Sequence, residues 1–285
     1  MKKLLLSASF NLCPRKEEYY PDYVRSGLKF YEEHGFEGAE FNSQALELSN
    51  EGWKSQMEDI LRITEGSSVK LATAHLPFHG GVDDSEDFLR NFDVRMHNAI
   101  DAMALLGVEY AVLHPNVGTV VARKYNFREQ LDKSISNMSP YVEHAEKVGL
   151  KLIVENMRIG QGIRYLHRFC QTPEELCELA DALGIGICWD FGHANISGLV
   201  QSEALAYVGK RLKAIHVNDN TAVDDDHVPP YSGSVDWVDA MHGLALADYK
   251  GSFNFELTAR CPEEARGAYA DYIAALGRTL MGYIK

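Results

Sequence analysis

Short apolar runs alternate with longer amphipathic stretches along this chain, and a polar residue closes most of the apolar runs. The runs predict strands over residues 4–9, 36–41, 69–74, 110–113, 151–154, 185–189, 212–215 and 253–255. Between them, apolar positions at helical spacing predict helices over 17–34, 53–64, 87–106 and 127–148. Further helices are predicted from Thr172 to Gly184, over 202–209, from Asp236, and over 263–284. Thr172-Pro173-Glu174-Glu175 combines a capping hydroxyl, a proline and two first-turn acids, the chemistry that starts a helix. Gly35, Gly107 and Gly149 each end a helical stretch.

Eight strand–helix alternations follow one another without a linker-like or low-complexity break. Alternation of this kind means a parallel sheet, and eight units close into a barrel more readily than they form an open sheet. The predicted fold is therefore α/β, a (β/α)8 TIM barrel, forming a single domain over 1–285. The length of 285 residues suits such a barrel, which typically takes about 250.

In such a barrel the carboxyl ends of all eight strands meet on one face, however far apart they lie in sequence. The residues that land there are His75, His114, Glu155, Asp190, His193, His216 and Glu256, with Asp225 and His227 in the loop after the seventh strand. Each alone has an ordinary explanation as a turn residue, a helix cap or a satisfied hydrogen-bonding histidine. Together they form a dense group of carboxylates that would repel itself without cations. The expected cofactor is a divalent metal. Mixed imidazole and carboxylate donors suit Zn, Mn or Co better than Ca.

Composition narrows the partners. The net charge of −13 is spread along the chain, with no basic stripe for phosphates, so nucleic acid is disfavoured. The five cysteines form no CxxC and read as free thiols in a reducing compartment. The apolar start, Leu4-Leu5-Leu6, is too short for a secretion leader and reads as the first strand. No stretch approaches the roughly 20 apolar residues of a membrane span. A cytoplasmic location is expected, and a homo-oligomer is left open. No dinucleotide or Walker fingerprint is present, which argues against nucleotide cofactors.

Val154-Glu155-Asn156, Trp189-Asp190-Phe191-Gly192-His193, Ile215-His216-Val217-Asn218-Asp219, Asp225-Asp226-His227-Val228-Pro229-Pro230 and Phe255-Glu256-Leu257 together resemble the xylose isomerase-like TIM barrels. That group includes sugar isomerases and epimerases, related dehydratases and the type IV apurinic endonucleases. The resemblance to the ketose epimerases implies one metal held by Glu155, Asp190, His216 and Glu256. It also implies that Glu155 and Glu256 are the acid–base pair and that His193 contacts substrate oxygen. Two opposed carboxylates and a Lewis acid suit proton transfer beside a carbonyl through a metal-stabilised enediolate. The expected activity is that of a metal-dependent sugar, sugar-acid or sugar-phosphate isomerase or epimerase with one ion per chain. Glu40 and His75 are further substrate-binding candidates.

The alternative is a trinuclear-zinc apurinic endonuclease-like phosphodiesterase. Its metal set is matched here by His75, His114, Glu155, Asp190, His193, His216, Asp225, His227 and Glu256. The charge, and loops after the second and third strands that carry few Lys or Arg, argue against it. The epimerases also place an Arg soon after the seventh-strand His, whereas residues 217–222 contain none. Arg158, Arg164 and Arg168 after the fifth strand either meet an anionic substrate group or form a solvated face, and the solvated face is the favoured reading. Trp53, Phe10, Trp189 and Trp237 are candidates for an apolar wall against a sugar ring, with Trp189 expected in the core.

Overall fold

A computed structural model describes residues 4–79, 85–115, 119–159 and 166–284 of the protein. The strands are β1 (Leu5–Ser9), β2 (Gly38–Asn42), β3 (Lys70–His75), β4 (Tyr110–Leu113), β5 (Thr119–Val121), β6 (Lys151–Glu155), β7 (Leu166–Arg168), β8 (Gly186–Asp190), β9 (Leu212–Val217) and β10 (Ser252–Phe255). The helices are α1 (Tyr20–Glu33), α2 (Gly52–Glu65), α3 (Glu86–Leu106), α4 (Phe127–Val148), α5 (Pro173–Leu183), α6 (Phe191–Ile196), α7 (Gln201–Val208), α8 (Trp237–Leu246) and α9 (Arg266–Met281). Eight parallel strands close in the order β1-β10-β9-β8-β6-β4-β3-β2, and helices surround them, giving the expected (β/α)8 barrel.

The alternation of side chains along each strand divides the interior into two regions. Outward residues such as Leu152, Val154, Ile187, Trp189, Ile215 and Val217 pack against the helices in one large core. Inward residues Val112, Ile153, Cys188 and Ala214, with Tyr110 against them, form a separate apolar layer. Two residues further along the same inward rows stand His114, Glu155, Asp190 and His216. Period-two spacing thus carries an apolar plug directly into the polar ends.

Helix ends follow local chemistry. Thr172 and Asn126 accept from the backbone N–H three residues on, capping α5 and α4. Gly149 ends α4 at φ 80°, a left-handed turn that a side chain would strain. The strand ends differ from expectation in one respect. The barrel ladder extends to His75, Glu155, Asp190 and His216 themselves, because the site absorbs their polar side chains. The antiparallel pair β5–β7 and the short helix α6 are not marked by the sequence pattern, being too short to show a period. Among the described residues no helix is long and apolar enough to cross a membrane.

Candidate functional site

The centre of the site is Glu155, which is buried at the end of β6. One carboxylate oxygen lies 2.9 Å from His114 Nε2 and 3.5 Å from His75 Nε2. The other lies 3.1 Å from His216 Nδ1 and 3.5 Å from His193 Nδ1. His216 is fully buried and reaches Glu256 at 3.2 Å and Asp190 at 4.0 Å through Nδ1, and Glu40 at 3.2 Å through Nε2. Asp190 and His216 are directly paired across β8 and β9, so the ladder itself brings them together.

Two sets of donor atoms lie within 4.8 Å of one another: Glu155, Asp190, His216 and Glu256, and His75, His114 and Glu155. The first is the four-residue set expected for one metal. Among the described residues, the ion pairs of Glu40, Glu155, Asp190 and Glu256 are all with imidazoles. Buried carboxylates without a fixed cation, interleaved with neutralisable imidazoles, fit a divalent ion.

His193, Asp225 and His227 form a chain. His193 Nε2 and His227 Nε2 each lie 3.4 Å from an oxygen of Asp225. Arg158 Nε donates to Asp225 at 3.0 Å, so this arginine is an ion-pair partner inside the loop cluster and not part of a solvated face. Arg168 is also half-buried, and Arg164 lies outside the described residues. Asp225, a candidate ligand of the larger metal set, is thus fixed by an arginine 67 positions away.

A layer of amides orients these groups. Asn218 donates to Asp190 Oδ2 at 2.7 Å, and Asn156 and the Asp190 backbone bond each other in both directions at 2.6 and 3.0 Å. Asp190 also caps α6 by accepting from the His193 N–H at 2.6 Å. His193 Nδ1 meets the Asn156 carbonyl at 2.7 Å, and Thr73 donates to Glu40 at 2.9 Å. Sequence reading passed over Asn156, Asn218 and Thr73 as contributors. The signal for two of them is the spacing Thr73-x-His75 and His216-x-Asn218, which keeps both members of each pair on one side of their strand.

The charges respond to this crowding. Burial alone would raise Glu155, but His216 and His114 hold it well below the usual carboxylate range. Burial raises Asp190 to about 6, with Glu155 and Glu256 adding to the rise and His193 opposing it. Burial lowers His114 to about 4 despite Glu155, leaving it a neutral donor. Against burial, Asp190 and Asp225 push His193 up to about 9.

A cavity of about 420 Å³ opens beside the cluster, within the range of small-molecule sites. Glu40, His75 and Glu256 face it from the barrel, and Phe10 and Phe78 line it from the loops. Phe78 is half-exposed, its ring 4.5 Å from that of His114, and Phe10 and Phe78 supply the apolar wall. Trp53, Trp189 and Trp237 do not. All three are buried, and Trp189 and Trp237 are tied through their indole N–H to Gln201 and Asp219. His193 is buried and is not among the residues that line this cavity.

An uncharacterized protein of Methanocaldococcus jannaschii is 28% identical over 246 residues, 84% of this chain and 80% of its own length. A solved structure described as a D-tagatose 3-epimerase-like protein superposes with TM-score 0.70 at 22% identity, over 98% of both chains. D-psicose 3-epimerase from Clostridium cellulolyticum, solved with D-tagatose, gives TM-score 0.75 at 14% identity over 98% of this chain and 99% of that one. Residues 28–277 match the family described as xylose isomerase-like TIM barrel. The chain belongs to that family.

Proposed function

We propose that the protein is a cytoplasmic, metal-dependent sugar isomerase or epimerase, its whole chain one barrel, in which Glu155, Asp190, His216 and Glu256 hold one divalent cation of Zn, Mn or Co. The observation that carries this reading is the convergence of those four donors within 4.8 Å beside a cavity of about 420 Å³. The superposition on solved sugar epimerases supports it. When bound, the cation supplies Lewis acidity toward the carbonyl and hydroxyl oxygens of the substrate.

The protein's own residues do the rest. Glu155 ends β6 and Glu256 follows β10, and a carboxylate oxygen of each lies 3.1 and 3.2 Å from His216 Nδ1. One carboxylate removes the proton from the carbon beside the carbonyl. The other returns a proton to the same carbon from its opposite face for epimerisation, or one of them delivers it to the neighbouring carbon for isomerisation. Glu155 is held ionised by His216 and His114, as a base must be. Glu256 is half-buried and borders the cavity, where substrate can reach it. Phe10 and Phe78 offer apolar surface to the sugar ring, and Glu40 and His75 face the substrate hydroxyls. The test is deuterium incorporation from D2O into a panel of ketoses and aldoses. Exchange at the carbon beside the carbonyl is expected for the wild type and lost in Glu256→Gln; full exchange in that variant would remove Glu256 from the role.

A second reading is favoured by one observation, the additional donor set His75, His114 and Glu155. With Asp190, His193, His216, Asp225, His227 and Glu256 it matches the larger set of a phosphodiesterase. Residues 43–53 and 76–89, which cover the loops after β2 and β3, contain no Lys or Arg to hold a nucleic acid backbone. Cleavage of an abasic duplex at low salt would install this reading in place of the first.

A further inference from the structure

The cavity beside the cluster is lined by two chemically different sets of residues. Glu40 and His75 are buried on the barrel side, whereas Arg15 is exposed and Arg266 half-buried on the loop side. Arg15 comes from the segment between β1 and α1, and Arg266 is the first residue of α9. They meet because β1 and β10 are neighbours in the barrel.

Neither arginine is used up by the fold. Among the described residues no carboxylate lies within 4.0 Å of either guanidinium, in a chain with a net charge of −13. Glu263 lines the same mouth and is exposed, but it pairs with neither. Arg15 rests with its Cζ 5.6 Å from the centre of the Tyr23 ring. Arg266 donates through Nη1 to the carbonyls of Asn11 and Leu12 at 3.1 and 3.4 Å, which fixes its side chain. Its Nε is buried with no hydrogen-bond partner. Two guanidinium groups in one acidic protein, both unpaired, one with an unanswered buried donor, and both lining a cavity, call for an anion.

We infer that the substrate carries an anionic group, a phosphate or a carboxylate, at the end remote from the metal-ligand cluster, and that Arg15 and Arg266 bind it. This deepens the proposed sugar chemistry and rests on it: the substrate class becomes a sugar phosphate or sugar acid rather than a neutral sugar. Arg266, pinned by the β1–α1 carbonyls, sets the position of the group. Arg15, held by stacking alone, closes over it.

The test is calorimetric titration of the metal-loaded protein with D-fructose, D-fructose 6-phosphate, D-galacturonate and inorganic phosphate. The anionic sugars are expected to bind about tenfold or more tightly than D-fructose, as a charge-assisted contact gives. Arg15→Gln and Arg266→Gln should each remove roughly tenfold of that preference and leave D-fructose binding within about twofold. Arg15→Gln carries the decision if Arg266→Gln disturbs the loop, since among the described residues Arg15 makes no hydrogen bond that the fold needs. The better of phosphate and carboxylate identifies the source of the anion. Equal binding of charged and neutral sugars, or a preference unchanged in both variants, overturns the inference. Deuterium exchange into neutral ketoses alongside that result would leave the sugar reading standing; anion binding through the arginines with no exchange into any sugar would sink the sugar reading and leave the anion pocket.

Discussion

Gly192→Ala is the sharpest single perturbation of the site that touches no proposed metal ligand. A Cβ on Gly192 would sit 1.9 Å from Asn218 Oδ1 and 2.8 Å from Asn220 Nδ2. The first contact is about 1.5 Å or more inside the roughly 3.5 Å at which such atoms meet. Asn218 has to move, and it is the amide that donates to Asp190 Oδ2 at 2.7 Å. Asn220 is also tied down, by its bonds to the Gly192 carbonyl and from the Asn195 amide, so the strain has no soft exit. Overpacking of this kind costs about 1–3 kcal/mol. Loss of the hydrogen bond that orients a metal ligand costs about 10–100-fold in metal affinity. Urea unfolding of the metal-free protein and calorimetric metal titration read the two effects separately. Adding Asn218→Ala should relieve the clash and recover part of the stability, yet leave metal affinity low, because Asp190 still lacks its donor. Unchanged stability and affinity in Gly192→Ala, or full recovery of both in the double variant, would refute the reasoning.

Three further outcomes follow from the same geometry. Against the lowering effect of burial, Cys188, Glu40, Glu256 and Glu155 push His216 well above its ordinary value of 6.5, which favours the charged ring in the metal-free protein. A metal needs the neutral ring, so uptake should release protons and strengthen with rising pH above about 6.5; calorimetry in buffers of different ionisation enthalpy reads this, and no net proton release would contradict it. The stability that charged His216 lends the metal-free fold is full below about 6.5 and is lost as pH rises through its raised value, so the melting-temperature gap between loaded and chelated protein should widen over that window. Burial pushes the thiols of Cys13 and Cys188 to about 12 and that of Cys177 to about 11, and Cys170 is fully buried. Only the half-exposed Cys261 should react with a thiol reagent in the native protein, and fast labelling of a second cysteine would contradict the described packing.

Much of this was legible in the sequence because a barrel converts order along the chain into position on a face. Once the glycine-ended helices and the short apolar runs define eight units, Glu155, Asp190, His216 and Glu256 become neighbours by topology alone. The period of two along each strand then puts Glu155, Asp190 and His216 at the tops of inward rows above Ile153, Cys188 and Ala214. What stayed hidden depends on where side chains reach across loops. Arg158 looked like a solvated charge because nothing near it in sequence is its partner; Asp225 arrives from the loop after β9. Arg15 and Arg266 stand at nearly opposite ends of the chain, and only the pairing of β1 with β10 brings them to one mouth. Trp53 illustrates the converse: an aromatic near a strand end is not a pocket wall when its helix turns it inward.

The account stands on the four-residue ligand set, and elemental analysis of protein purified without chelator or affinity nickel tests it most directly. Close to one Zn, Mn or Co per chain is predicted, retained in His114→Ala and lost in His216→Ala or Asp190→Asn. A metal-free wild type, or an ion that survives the loss of His216 and of Asp190, would contradict the central claim, and close to three zinc ions per chain would turn the reading toward the phosphodiesterase.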